Sequence, residues 1–207
     1  MKILVTAGAT WVKIDDVRIL TNRFTGKTGR LISQGLEKRG HSVTLLINPH
    51  CIEDVKNLEI VNFSYFEEFR RAIINLLKQN HFDAIIHTAA VSDYKVVKAS
   101  RGKIPSGKEV LDLELIPTEK IIKRIKRLAK KTLLIQFKME AKLKGLVDAA
   151  YNSLIDNKSD FVVANALIDL KKGYKGYIID KDKQVVPVYS REELMKGLDK
   201  IVRSYKL

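Results

Sequence analysis

KILVTAGAT, residues 2–10, is the stretch that decides the fold: five residues from Lys2 to Thr6, mostly apolar, run directly into the turn Ala7-Gly8-Ala9-Thr10. An uninterrupted apolar run ending in a glycine turn is the pattern of a parallel strand buried on both faces, whose carboxyl end opens towards a phosphate-sized ligand. Working outward, Leu31, Ile32 and Leu36 with Gly40 beyond them predict a helix over 28–39, and 42–47 reads as a second strand. These elements form one βαβ unit with a long first connection, and loops of that length in a compact domain tend to carry function.

The alternation continues. Strands are expected at 59–63, 83–87, 132–137 and 161–164, helices at 66–79 and 146–157, a late hairpin at 177–180 and 185–188, and a terminal helix from 191 to about 203. The prediction is an α/β fold, a doubly wound, mainly parallel Rossmann-like sheet binding its ligands at the carboxyl ends of the strands. Residues 92–118 break the alternation. A GKIPSG turn and the alternating VLDLELI of 110–116 predict a β-flap or hairpin projecting from one domain that spans 1–207.

Composition narrows the function classes. With 207 residues and 45% hydrophobic content, the chain supports one substantial core. No run approaches a bilayer span, and the opening reads as a strand rather than a cleavable signal, so a cytoplasmic protein is expected. The lone Cys51 excludes an internal disulfide or thiolate metal cluster and is read as incidental. A formal charge of +14 favours anionic partners. The run IIKRIKRLAKK at 121–131 reads as an amphipathic helix with a solvated basic face, because no aromatic residues interleave its charges; nucleic acid is therefore not the expected partner.

Two common nucleotide motifs fail. A dinucleotide fingerprint needs three spaced glycines and an acidic residue closing the second strand, whereas only Gly8 is present and that strand ends Ile47-Asn48-Pro49. The Tyr94 and Lys98 pair lies in an extended segment and is read as chance. Gly26-Lys27-Thr28-Gly29 ends like a P-loop, but the required first glycine is Thr21. What survives is a glycine turn opening a helix, where exposed N–H groups suit an anion as readily as they serve an ordinary helix start. His87 is read as a packed or hydrogen-bonded neutral ring, and His41, His50 and His81 as turn residues.

Taken together, the fragments resemble the phosphopantothenoylcysteine synthetase family, the phosphopantothenate–cysteine ligases. TAGATWVKIDDVRILTNRFTGKTG at 6–29 is similar to its signature, HTAAVSDYK at 87–95 to its Ala-Ala-Val-x-Asp-Tyr element, and Lys103-Ile104 to its Lys-Ile pair. IPTEKII (116–122), LIQFKME (134–140) and DFVVANAL (160–167) match the remaining blocks in order. The resemblance implies an enzyme that joins 4′-phosphopantothenate to cysteine through an acyl-nucleotide made from CTP or ATP, with Mg²⁺. It also implies a homodimer of the stand-alone form, with the decarboxylase of the pathway on a separate chain.

Residue by residue, the resemblance makes Asn22 and Lys103 catalytic. Gly8, Ala89, Asp93, Lys103, Phe137 and Asn165 would bind the nucleotide, and Arg18, Asn22, Gly26, Lys27 and Gly29 the phosphates or substrate. The metal ligands are not assigned. The alternatives from the residues themselves are an Asx-turn Asn22, a solvated Lys103, a core Phe137, a capping Asp93 and a surface ion pair at Arg18. Two further readings remain open: an NAD(P)-binding oxidoreductase on the same fold, or a non-catalytic nucleotide- or nucleic-acid-binding paralogue. The chain departs from the family at Ala9, Ala166, Asn152 and Asp156, the last two standing where lysines approach the nucleotide phosphates. Lys158 is the candidate replacement for one of them.

Overall fold

The apolar run at residues 2–7 forms the centre of the sheet because its side chains alternate between two buried layers. A computed structural model describes residues 1–51, 58–107, 109–170 and 173–205, with the side chains of Cys51 and Leu170 outside the described set, so the Cys51 reading falls outside it too. The chain begins with β1 (Lys2–Ala7), β2 (Trp11–Lys13), β3 (Ile19–Thr21), α1 (Lys27–Glu37) and β4 (Ser42–Ile47). After a 3₁₀ turn at Pro49–Cys51 come β5 (Glu59–Asn62), α2 (Phe66–Gln79), β6 (Ala84–His87), β7 (Tyr94–Val96), β8 (Leu115–Pro117) and α3 (Ile121–Leu128). The last third holds β9 (Leu133–Glu140), α4 (Leu146–Asn157), β10 (Phe161–Ala166), α5 (Leu167–Leu170), β11 (Gly176–Asp180), β12 (Val185–Val188) and α6 (Arg191–Ser204).

The main sheet runs β12-β11-β10-β9-β6-β1-β4-β5, parallel from β10 to β5, with β11 and β12 antiparallel at one edge. This is the doubly wound arrangement expected. The chain leaves β1 towards β4 and β5, then returns through α2 to β6 on the other side, so the crevice beyond β1 and β6 is the switch point where ligands bind. Ile3, Val5 and Ala7 face a layer that includes Ile32 and Leu36 of α1 and Leu194, Leu198 and Val202 of α6. Leu4 points the other way, into a cluster with Phe69 and Ile73 of α2 and Ile121 and Ile125 of α3. Among the described residues no helix is long and apolar enough to cross a membrane.

Three expectations change. The long first connection is not simply a loop: β2 and β3 pair antiparallel as a small ribbon, Trp11 opposite Thr21. The flap is a second ribbon, β7 with β8, in which Tyr94 opposes Pro117. Its alternating stretch 110–116 becomes strand only from Leu115: the ladder with β7 ends at Val96 opposite Leu115, one further bond joins the Val97 N–H to the Glu114 carbonyl at 3.0 Å, and beyond it Val110 is 69% and Leu111 45% exposed. His41 is more than a turn residue: it is buried, and its Nε2 lies 2.7 Å from Asp199 of α6, which also accepts from Arg203 at 3.0 Å.

Asp160, at the start of β10, is the polar rivet between layers. Its carboxylate, 3% exposed, accepts from the Leu134 N–H at 2.8 Å and Lys126 Nζ at 3.3 Å, and pairs with Lys181. Burial pushes the carboxyl pKa up, but the Lys181 ammonium, the Leu134 N–H and Lys126 outweigh it and hold it below the usual value. A depressed carboxyl contributes stability that is complete above the unfolded-chain value of about 3.9 and is lost as pH falls through the lower folded value. Asp160→Asn is therefore expected to cost about 2 kcal/mol at pH 7, less than a fully buried pair because Lys181 regains water, and to lower Tm by roughly 4–8 °C. Urea unfolding at pH 7 and pH 3 checks this: the difference from wild type shrinks at pH 3, and an equal deficit at both would contradict it.

Candidate functional site

The site assembles where β1 and β6 end and α1 begins. Gly8 follows β1 with φ of 82°, a left-handed conformation that side chains resist, and an added Cβ would lie 3.0 Å from the Asn48 side chain. Ala9 avoids positive φ, as its side chain demands, and its carbonyl accepts from buried Asn48 Nδ2 at 2.7 Å. Asn48 thus occupies the point after the second strand where a dinucleotide site needs a carboxylate. α1 starts at Lys27 with Gly26 as an N-cap that provides no side-chain acceptor and with no acidic residue in the first turn. Gly29 allows this turn to press onto the strand ends, since a Cβ there would meet Thr88 Oγ1 at 2.5 Å and the Ala7 Cβ at 2.7 Å.

Two cavities lie over the carboxyl edge of the sheet. The first, of about 260 Å³, is lined by Gly8, Gly26, Lys27, Gly29, Ala89, Phe137 and Asn165, seven of the expected binding residues, and also by Thr28, Lys138, Tyr174 and Arg191. The second, of about 600 Å³, runs from His87 and Asp93 past the start of α3 to Asn152 and Asp156 of α4. Ala89, Ala90, Phe137, Lys138 and Met139 line both, so they are neighbouring compartments of one cleft.

Asn22 follows β3 at the base of the β2–β3 ribbon and is not among the residues that line either cavity; its Nδ2 donates at 3.1 Å to the carbonyl of Ala90, which lines both and so marks the boundary between the compartments. Thr10 holds this region together: its Oγ1 donates to Ser92 Oγ at 3.0 Å and accepts from the Ser92 N–H at 2.9 Å. His87 is buried behind the boundary. Its Nδ1 lies 2.8 Å from Thr6 Oγ1, and burial pushes its pKa down to about 4, so the ring is neutral at pH 7, as the sequence suggested.

Lys103 and Arg18 are placed differently. Lys103 is exposed and lines neither cavity. Its backbone neighbours are gripped by the tip of the β2–β3 ribbon. Gly102 N–H donates to Asp16 Oδ2 at 2.7 Å, Ile104 N–H to Asp15 Oδ2 at 3.0 Å, and Ser100 N–H to the Ile14 carbonyl at 2.9 Å. Arg18 belongs to the same clamp, paired with Asp15 and donating from Nη1 to the Ile104 carbonyl at 3.2 Å. Burial would raise the Asp15 pKa, but the N–H groups of Ile104, Val17 and Arg18 and the Arg18 guanidinium hold it well below the usual carboxylate range. Asp93 lines the second cavity in an exposed pair with Lys120, at 2.6 Å.

Lys158, the candidate replacement for a lysine absent at Asn152 or Asp156, lies beside the second cavity and is not among the residues that line it. It caps α4 with φ of 55° and lines, with Lys126, Arg127 and Lys130, an adjoining groove that shares Lys123, Asp156 and Asn157 with the second cavity. The cations of the second cavity come instead from α3 and β9: Lys120, Lys123 and Lys138. Ala166 is fully buried in the α4 layer, away from the cleft. Tyr174, Lys138 and Arg191 were not anticipated. Arg191 left one trace in the sequence, a cation at the first position of a helix capped by Ser190 and Glu193, where the helix dipole disfavours it.

The family model described as DNA/pantothenate metabolism flavoprotein C-terminal domain matches residues 1–204. The chain is 40% identical over 172 residues to the coenzyme A biosynthesis bifunctional protein CoaBC of Thermococcus kodakarensis, covering 80% of this chain and 41% of the relative's length. The crystal structure of the DNA/pantothenate metabolism flavoprotein from Streptococcus pneumoniae superposes with a TM-score of 0.89 at 30% identity over 100% of both chains. The C-terminal domain of a CoaBC protein does so with a TM-score of 0.80 at 26% identity, over 98% of this chain and 94% of that one.

Proposed function

The chain belongs to the DNA/pantothenate metabolism flavoprotein C-terminal domain family, and from that premise we propose that it is a phosphopantothenate–cysteine ligase of coenzyme A biosynthesis. The observation that carries this reading is the two-compartment cleft over the carboxyl edge of the sheet, with the Asn22 amide anchored to Ala90, a residue that both compartments share. In the proposed reaction the carboxylate of 4′-phosphopantothenate attacks the α-phosphate of CTP or ATP, forming the acyl-nucleotide and releasing pyrophosphate. The cysteine amine then attacks the acyl carbon, and the nucleoside monophosphate leaves with the bonding electrons. Both steps build negative charge on oxygen, which fixed N–H groups, an amide and cations stabilise without a covalent enzyme intermediate.

Asn22 is assigned to the acyl oxygen at the boundary, Lys103 to phosphate charge, and Gly8 with Gly26–Gly29 to the phosphate turns. Ala89, Asp93, Phe137 and Asn165 are assigned to the nucleotide, and Arg18 to the clamp beside Lys103. Mg²⁺ would arrive with the nucleotide and neutralise its phosphates. Among the described residues no three His, Cys, Asp or Glu side chains cluster, and Asp93 and Glu119 are already paired with Lys120 and Arg124. Asp156 is thus the cavity carboxylate with no such pairing, able to face a hydrated ion held chiefly by phosphate. A homodimer is also proposed, supported by the apolar side chains exposed along the flap at Val110, Leu111, Leu113, Leu115 and Ile116; light scattering that returns a monomer mass would remove it.

The deciding assay incubates the protein with phosphopantothenate, Mg²⁺ and CTP or ATP, with and without cysteine, and follows pyrophosphate and coupled product. Pyrophosphate release that depends on phosphopantothenate supports the first half-reaction, and product on adding cysteine supports the second. No turnover with either nucleotide sinks the ligase reading.

A further inference from the structure

We infer that Arg191 is a phosphate-binding residue, whose guanidinium closes an anion seat in the first cavity opposite the start of α1. The identity of the molecule carrying that phosphate rests on the ligase reading; the seat itself does not. Its sequence position is locally unfavourable. Ser190 Oγ accepts from the Glu193 N–H at 3.0 Å, so Arg191 is the first residue of α6, beside the positive end of that helix. Glu192, next to it, is paired with Lys196 at 2.7 Å, and among the described residues Arg191 has no carboxylate partner. A cation kept there without a counter-charge calls for another reason.

The geometry provides one. Arg191 lies over the Tyr174 ring, 5.0 Å from its centroid, and its Nε donates to Thr28 Oγ1 at 3.2 Å. Burial pushes the Tyr174 phenol up to about 12, so the ring under the guanidinium stays neutral. With Nε engaged, the two terminal nitrogens are left for a ligand, and they suit the paired oxygens of a phosphate better than a lysine would. Thr28 belongs to the first turn of α1, so the same contact aligns Arg191 with the N–H groups that Gly26 leaves uncapped. Lys27 and Lys138 line the cavity too, Lys138 shared with Glu140 at 3.1 Å, and among the described residues none that lines the cavity is Asp or Glu. Three cations and a helix start without an acid make a seat for a phosphate or diphosphate group, borne by either the nucleotide or the phosphorylated acid.

The test uses the full chain and two probes, inorganic pyrophosphate and inorganic phosphate, measuring thermal stabilisation of wild type, Arg191→Gln and Arg191→Lys. Expected are stabilisation of wild type and an apparent affinity at least about 10-fold weaker in Arg191→Gln, with Arg191→Lys between. Preference for pyrophosphate assigns the seat to the nucleotide; comparable or stronger binding of phosphate assigns it to the phosphorylated acid. In steady-state assays the matching substrate's KM rises while the other's does not. If Arg191→Gln fails to fold, Arg191→Lys answers alone, since its charge and stem retain the packing but lose the fork. Equal stabilisation of variants and wild type by the probes, or none of wild type, overturns the inference. Lower stability without ligand but an unchanged probe response shows Arg191 only ties α6 to α1. A wild-type response lost in Arg191→Gln, with no ligase turnover in any variant, upholds the seat while removing the ligase reading.

Discussion

Asn22→Ala lowers the rate of coupled product by about 10²- to 10³-fold with the fold intact, the loss expected when one polar group directed at a developing oxyanion is removed. The structure separates the two consequences. The side chain is exposed, and the hydrogen bond it makes within the protein is one donation to the Ala90 carbonyl, which can be hydrated in its absence. Stability therefore changes by less than about 0.5 kcal/mol, within the range of ordinary surface substitutions. The position nevertheless adjoins the boundary of the two compartments, because Ala90, the residue to which Asn22 donates, lines both. Steady-state assays together with thermal unfolding test this: a rate near wild type would remove Asn22 from the chemistry, and a large drop in Tm would make its role structural.

The second large effect is expected at Asp15, buried at the tip of the β2–β3 ribbon. Asp15→Ala releases the clamp at Ile104, and product formation falls about 100-fold, the scale of loss when a positioned group is displaced by about 1 Å. Asp15 is buried and receives the N–H groups of Val17 at 2.8 Å, Arg18 at 2.7 Å and Ile104 at 3.0 Å, so one carboxylate shapes the ribbon tip and the flap on either side of Lys103. Without it, Arg18 loses its ion-pair partner and the flap loses the tether nearest Lys103 on the Ile104 side, leaving those at Ser100 and Gly102. The variant should reproduce the kinetics of Lys103→Ala and gain protease cleavage between residues 98 and 107, whereas Lys103→Ala should gain none. Full activity with a cleaved flap would show that the clamp does not position Lys103.

These expectations divide according to how much of the site could be read along the chain. The glycine turns at Gly8 and Gly26–Gly29 were legible because a strand end and a helix start are local, and the phosphate-friendly backbone follows from a few consecutive residues. The clamp was not: Asp15 and Ile104 are 89 residues apart, and nothing near either announces the other. The alternating 110–116 segment misled for a related reason. Periodicity reports which faces a strand would present, but not whether an edge lies within reach to pair with it.

The sequence by itself determined the parallel α/β layering, since apolar runs such as residues 2–7 can bury both faces only between helices, and seven of the residues it marked as candidates line one cavity. Only the tertiary structure decided which cations serve that cleft. It brought in Arg191 from the last helix, drew the second cavity's charge from α3 and β9, and set Lys158 in the groove that adjoins that cavity. The reason is one of range: backbone geometry is set by neighbours in sequence, whereas the field inside a cleft is the sum over side chains that meet only when the sheet order and the helix packing are complete.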